Sequence, residues 1–247
     1  MEGPGVRTIA DRFAPLVGKR VISLDGRSRF PLHRLVDGTV ARIYPVGKLL
    51  FIDIPPCTLR VHLLMWGRYR LNDEIPGKVP KLTLTFDGGS TLRFYASAIA
   101  LLTPEEVEKN YDPSLDPMDA AWDVKRAIRL VEGKGREWIC DTLMDQVILP
   151  GVGNVIKNEA LFAASVHPAS PSGRIPDGVL SRLLLAVRDF SFTWYRCDLE
   201  GKRIDPLLRI YRKRSCPECG GKVQSGRIGC LQRISYWCPA CQVKYPR

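Results

Sequence analysis

Cys216-Pro-Glu-Cys219 and Cys238-Pro-Ala-Cys241 close a 247-residue chain, and the reading of these two pairs decides the architecture around them. A two-residue gap lets both thiolates of a pair grip one metal ion, and two such pairs supply the four soft ligands of tetrahedral zinc. The 18 residues between the pairs are enough for two strands and a turn. The expectation is one structural Zn2+ pinning a β-hairpin that carries Arg227 and Arg233. The competing readings are a disulfide pair, which a secreted chain would favour, and four unrelated buried thiols. The first 20 residues argue against the disulfide reading: Glu2, Arg7, Asp11, Arg12, Lys19 and Arg20 leave no apolar core for a signal peptide. Cys57, Cys140, Cys197 and Cys230 have no partner at ligand spacing and read as small hydrophobes, with Cys230 inside the hairpin as a spare thiol.

Charge points in the same direction. The chain carries +11, and residues 202–247 hold eleven Lys/Arg against Asp205 and Glu218, so the first 201 residues carry only +2. The basic segment is interleaved with Tyr211, Tyr236, Trp237 and Tyr245, which suits phosphate contacts and stacking better than a solvated tail. No stretch approaches the roughly 18 apolar residues of a membrane span. These features predict a nucleic-acid partner, no membrane, and a cytoplasmic, nucleoid-associated or nuclear setting without secretion.

Ahead of the cysteines the periodicity changes twice. Val6, Ile9, Ala10, Phe13, Leu16 and Val17 recur at helical spacing and predict a helix over 5–17 that ends at Gly18. From 19 to 102 the pattern is that of short strands: 49–54, 60–64, and a hairpin of 82–86 and 91–95 around Asp87-Gly88-Gly89. Residues 103–118, rich in proline and acidic side chains, read as a linker. Helices are predicted at 119–131, 136–145, 154–164 and 177–197. Leu149-Pro-Gly-Val-Gly-Asn154 makes a tight turn whose open amides suit an anion, with Asn154 as the expected helix cap, or else a purely structural turn.

Taken in order, these motifs resemble the Fpg/Nei family of DNA glycosylases. Glu2-Gly3-Pro4 looks like the end of the family's N-terminal Pro-Glu-Gly-Pro. Gly47-Lys48 before an apolar strand matches its strand-borne lysine, 149–154 its helix-two-turn-helix (H2TH) motif, and Gln232-Arg233 the arginine of its zinc-finger hairpin. The resemblance implies an α+β fold. An N-terminal β-sandwich with a leading helix occupies 1–102, the linker 103–118, a helical H2TH domain 119–210 and a zinc finger 211–247. Tyr95-Ala-Ser-Ala-Ile99 looks like the endonuclease VIII (Nei) branch. The Arg-Arg-Phe wedge of the Fpg branch is missing, and so is its Gly-Thr-Thr loop before the first cysteine pair. Both departures favour oxidised pyrimidines over purines.

The resemblance also implies the chemistry: base-excision repair of double-stranded DNA that contains damaged bases or abasic sites, by a monomer with glycosylase and AP-lyase activity. The damaged nucleotide must leave the stack. Leu64, Met65 and Trp66 match the family's void-filling positions, although Leu64 reads equally as sandwich core. The nucleophile would be the α-amine of residue 1, forming a Schiff base with C1′ of the sugar. Met1 stands where the family has proline. Large Glu2 predicts that Met1 is retained, which replaces a secondary amine by a primary one. Glu2 is the expected general acid/base. Lys48 would contact the lesion phosphate, and Gly153, Asn154 and Arg233 would bind DNA, the last two clamping one phosphodiester. His62 reads as a satisfied strand histidine and His167-Pro168 as structural. The alternatives are a non-catalytic or weak-lyase binder of damaged DNA on the same fold, and a zinc-ribbon protein that binds RNA. The acid at position 2 argues against the last.

Overall fold

Strand propensity and helical periodicity separate along the chain, and so does the structure, a computed structural model that describes residues 1–26 and 30–246. Its contacts divide it into two units: Met1 with Gly5–Asp112, and Glu2–Pro4 with Pro113–Arg247.

The first unit is a sandwich of two four-stranded antiparallel sheets. One runs β1 (Val21–Gly26), β6 (Leu82–Phe86), β7 (Thr91–Tyr95), β5 (Arg68–Leu71); the other β2 (Arg42–Val46), β3 (Leu49–Ile54), β4 (Cys57–His62), β8 (Ala98–Leu102). Alternation decides which faces meet. In β6, Leu82, Leu84 and Phe86 are buried, and in β7 Leu92 and Phe94 join them, while the intervening threonines and Arg93 face outward. α1 (Gly3–Phe13) adds Val6, Ile9, Ala10 and Phe13 to the same core. The predicted helix stops four residues early: Ala14–Leu16 tightens to a 3₁₀ turn at Pro15, and Gly18 takes a left-handed φ of 84°. The expected linker contains a helix of its own, α2 (Pro104–Asn110), held by a Thr103/Glu106 capping box.

In the second unit, α3 (Val124–Gly133), α4 (Ile139–Thr142), α5 (Asn154–Ala163) and α6 (Asp177–Leu199) enclose a core built on Val131, Leu143, Leu149, Leu161, Leu180 and Val187. Two predicted helices are shorter than their patterns. Residues 119–123 are turns, because Asp123 caps the start of α3, and 136–138 form a turn before α4. β9 (Gln224–Ile228) and β10 (Arg233–Trp237) form the expected hairpin. No helix of the described residues is long and apolar enough to cross a membrane.

Candidate nucleic-acid and catalytic site

Four sulfurs come together as the spacing predicts. The Sγ atoms of Cys216, Cys219, Cys238 and Cys241 all lie within 4.8 Å of one another. Cys216–Cys241 are 3.8 Å apart and Cys219–Cys238 3.5 Å. Those separations are too long for S–S bonds of about 2.05 Å. They match the edge of about 3.8 Å of a tetrahedron with metal–sulfur bonds of about 2.3 Å. The donor set therefore fits a soft, four-coordinate cation. Hydrogen bonding to Cys219 and burial push the Cys241 thiol up to about 12. A metal that binds here must displace protons. Among the other thiols, Cys57 and Cys140 are buried, whereas Cys197 is half-buried and Cys230 exposed.

The hairpin is fixed to the helical unit by a polar run in α5 that belongs to none of the motifs. Lys157, Asn158 and Glu159, consecutive in α5, are exposed by only 0%, 0% and 4%. Each is paid for by hydrogen bonds. Asn158 Oδ1 accepts from the Tyr236 amide at 2.7 Å. The Glu159 carboxylate accepts from the amides of Arg209, Ile210 and Tyr211, the segment that leads into the first cysteine pair. Lys157 Nζ donates to Ser235 Oγ and Asn154 Oδ1, both at 2.9 Å, and reaches Ile234 O at 3.4 Å. Burial lowers Lys157 to about 8, against the pull of Cys140 and Asp141. Three adjacent polar residues in an otherwise apolar helix were the available signal, since a surface helix shows polar residues on one face only. At the hairpin tip, Asp141 of α4 accepts from the Cys230 amide.

The turn before α5 has a different job from the one expected. Asn154 is not the cap: Gly153 occupies that position and offers no side chain. The cap is Glu2, whose Oε1 accepts from the Val155 amide at 2.9 Å and Oε2 from Ile156 at 3.2 Å. A carboxylate suits the positive end of a helix. Gly153 is small for a steric reason: a Cβ there would sit 2.3 Å from Glu2 Cδ. The Gly3 amide donates to Gly151 O at 2.9 Å, and Gly151 takes φ 93° to make the turn. Arg233 opens β10, two residues before buried Ser235 and hence on the same face of the hairpin, the one turned to α5. Glu2, Gly153, Asn154 and Arg233 thus gather at the N-terminal end of α5, and both Arg233 and Glu2 act electrostatically on Lys157.

In the first unit, the Met1 amine donates to Leu64 O at 3.3 Å. Lys48 stands in the two-residue turn from β2 to β3, after Gly47 at φ 58°, and not within a strand. Burial and then the nearby Met1 amine and Lys48 lower His62, so this strand histidine is neutral at pH 7. The register, with Val46 opposite Leu49 and Leu49 opposite His62, puts Lys48 at the end of the sheet where β4 leads to Leu64, the residue that holds the amine. Leu64 is not sandwich core: its neighbour Leu63 is, at 2% exposure, whereas Leu64, Met65 and Trp66 are exposed at 46%, 69% and 77%. The loop closes tightly through Gly67 N donating to Leu63 O, and a Cβ at Gly67 would collide with that oxygen. Three adjacent, exposed, large apolar side chains on a tight turn are a feature that folding alone does not call for.

Comparison with known proteins agrees with this geometry. Residues 1–97 match the formamidopyrimidine-DNA glycosylase N-terminal domain and 114–190 the H2TH domain of the same enzymes. The chain is 32% identical over 239 residues to endonuclease 8-like 3 of Xenopus laevis, covering 92% of this chain and 38% of that protein. It spans less than half the length of the endonuclease 8-like 3 proteins it matches. A viral DNA glycosylase of known structure superposes with a TM-score of 0.83 at 25% identity, over 98% of this chain and all of that one. A formamidopyrimidine-DNA glycosylase of Methylococcus capsulatus is 31% identical over 98% of this chain and 99% of its own length. With both domain types present in order and a full-length relative at that identity, the chain belongs to the Fpg/Nei family of DNA glycosylases.

Proposed function

We propose that this protein excises oxidised bases, pyrimidines in preference, from double-stranded DNA and cleaves the resulting abasic site. The observation that carries the reading is the seating of Glu2. Two amides and a glycine with no room for a methyl group hold one carboxylate a single residue from the chain's amine.

In this reading Leu64, Met65 and Trp66 fill the space left when the damaged nucleotide swings out of the stack. The Met1 amine, of a type that titrates near pH ~8, is partly neutral at pH 7 and attacks C1′ of the sugar. The bond from C1′ to the base breaks and the base leaves with the electron pair. One proton shed by the nitrogen neutralises the departing base; Glu2 protonates the ring oxygen as the C1′–O bond breaks, and the nitrogen lone pair closes the C=N bond of a protonated imine. Loss of a proton from C2′ then expels the 3′ phosphate by β-elimination. Lys48, Asn154 and Arg233 neutralise and hold the phosphates, Arg233 through two parallel donors. Cys216, Cys219, Cys238 and Cys241 would hold a zinc ion. It supplies no chemistry, only the rigidity of the hairpin that presents Arg233. The short segment between α6 and Cys216, and Tyr95-Ala-Ser-Ala-Ile99 in place of an arginine wedge, support the pyrimidine preference.

The test is to mix the protein with abasic-site DNA and borohydride. The expected result is a covalent adduct at residue 1, and base release from thymine-glycol DNA that Glu2→Gln abolishes. One observation favours a second reading, a binder of abasic DNA without catalysis: both oxygens of Glu2 are engaged as a helix cap. Tight binding with neither adduct nor base release establishes that reading and overturns the first.

A further inference from the structure

A lysine that is wholly buried, with three neutral acceptors, is an expensive way to join a helix to a hairpin. An apolar residue of similar length would fill the same space. What the ammonium adds is direction. It has three donors and no acceptor, so the Asn154 side chain beside it must turn its oxygen inward. The Asn154 amide NH₂ then points away from Lys157, and among the described residues it has no acceptor. The same ammonium grips Ser235 Oγ, two residues from Arg233 on one face of β10. One buried cation therefore sets both the orientation of Asn154 and the position of Arg233 relative to α5.

We infer that Lys157 is a positioning residue: it locks the Asn154 amide with its donors outward and in register with Arg233, so that the two together accept one DNA phosphate. The inference rests on the clamp proposed above for Asn154 and Arg233. Lys157 itself touches no DNA. Proton loss would undo the lock, because a neutral amine can accept as well as donate and no longer dictates which way Asn154 turns. The charged and titratable groups that face it are Cys140 and Asp141 of α4, Arg233 of β10, and Glu2. Its lowered proton affinity, about 8, brings that loss into an accessible range.

The experiment is a double-mutant cycle on the zinc-loaded protein, read as affinity for a duplex that carries a tetrahydrofuran abasic analogue. Lys157→Met and Asn154→Ala are each expected to weaken binding about tenfold, the amount for one charge-assisted contact. Combined, they should weaken it no further than Asn154→Ala alone, because Lys157 acts through Asn154. A full second tenfold loss in the double variant overturns the inference. Parent-like binding by Lys157→Met beside weak binding by Asn154→Ala overturns it too, and leaves the clamp standing. Parent-like binding by Asn154→Ala removes the clamp and the inference with it. Should Lys157→Met fail to fold, pH supplies the same comparison. Raising it from 7 to 9.5 should weaken the unmodified protein more than Asn154→Ala, and equal weakening of the two overturns the inference.

Discussion

The hairpin of β9 and β10 and the loop 63–67 both carry the exposed side chains that the proposed function brings to DNA, yet they are held in opposite ways. The hairpin is anchored by the buried run Lys157-Asn158-Glu159 and flanked by four sulfurs placed to share one metal ion. The loop is fixed by its own backbone, through Gly67 N to Leu63 O, and leaves three large apolar side chains in water. In the hairpin, any change to an anchor should alter stability as well as function, in the same or the opposite direction. In the loop, function and stability should come apart.

The hardest test of the first half is Cys238→Ser. Cys238 is 1% exposed, and its sulfur is one vertex of the tetrahedron. Structural zinc in small modules contributes on the order of 10 kcal/mol of folding free energy. The variant is expected to lose its metal by elemental analysis, with the hairpin unfolded and DNA affinity reduced at least 100-fold. A variant that keeps both metal and affinity would break the comparison at its root.

A smaller effect isolates the polar anchor. Lys157 loses its proton near pH 8 in the folded chain, against 10.5 for an unperturbed lysine. Between those values the unfolded chain binds the proton and the folded chain does not, so stability rises with pH through that window and is lost again as pH falls toward 8. By pH 9.5 the gain is about 2 kcal/mol. Urea unfolding at pH 7.5 and 9.5 should show it in the unmodified protein and not in Lys157→Met. Stability would then rise over the range in which DNA affinity falls, a divergence that mere loosening of the fold does not produce.

Gly153→Ala is smaller again. The added methyl would meet the Glu2 carboxyl, the far end of a flexible side chain, so Glu2 moves and the backbone does not. The stability lost is that of a helix cap, about 1 kcal/mol. Base release should fall as far as in Glu2→Gln. Activity close to that of the parent would mean that Glu2 serves only as the cap.

How legible each region was follows from the kind of signal it carries. Cysteine spacing and strand alternation are periodic in sequence, so the sulfur cluster and the 82–95 hairpin were readable directly. Gly153 and Glu2 were picked out by resemblance, but their relation was not, because a cap that comes from 153 residues away leaves no local pattern. Lys157 was missed for a related reason. Sequence marks a lysine as solvated, and only the fold reveals that Ser235 and Ile234 of the hairpin cover it. Leu64 and Leu63 are one residue apart with opposite fates: Leu63 keeps the inward face of the alternation that runs from Val61, and Leu64 turns out of it at a positive φ of 53°.

Trp66 gives the smallest effect on the fold and the sharpest test of the loop's half of the comparison. At 77% exposure its ring contributes little to the core, so Trp66→Ala should shift the unfolding free energy by no more than about 0.5 kcal/mol. If the ring fills space in an opened duplex, the variant forfeits burial that occurs only on DNA. A loss of about 1.4 kcal/mol corresponds to about tenfold slower base release. Single-stranded substrate has little stack to replace, so the same variant should act on it nearly as well as the parent. An equal loss on both substrates would move Trp66 from the space left in the stack to the handling of the damaged base itself. A loss of stability in step with activity would mean that the loop, like the hairpin, is part of the fold.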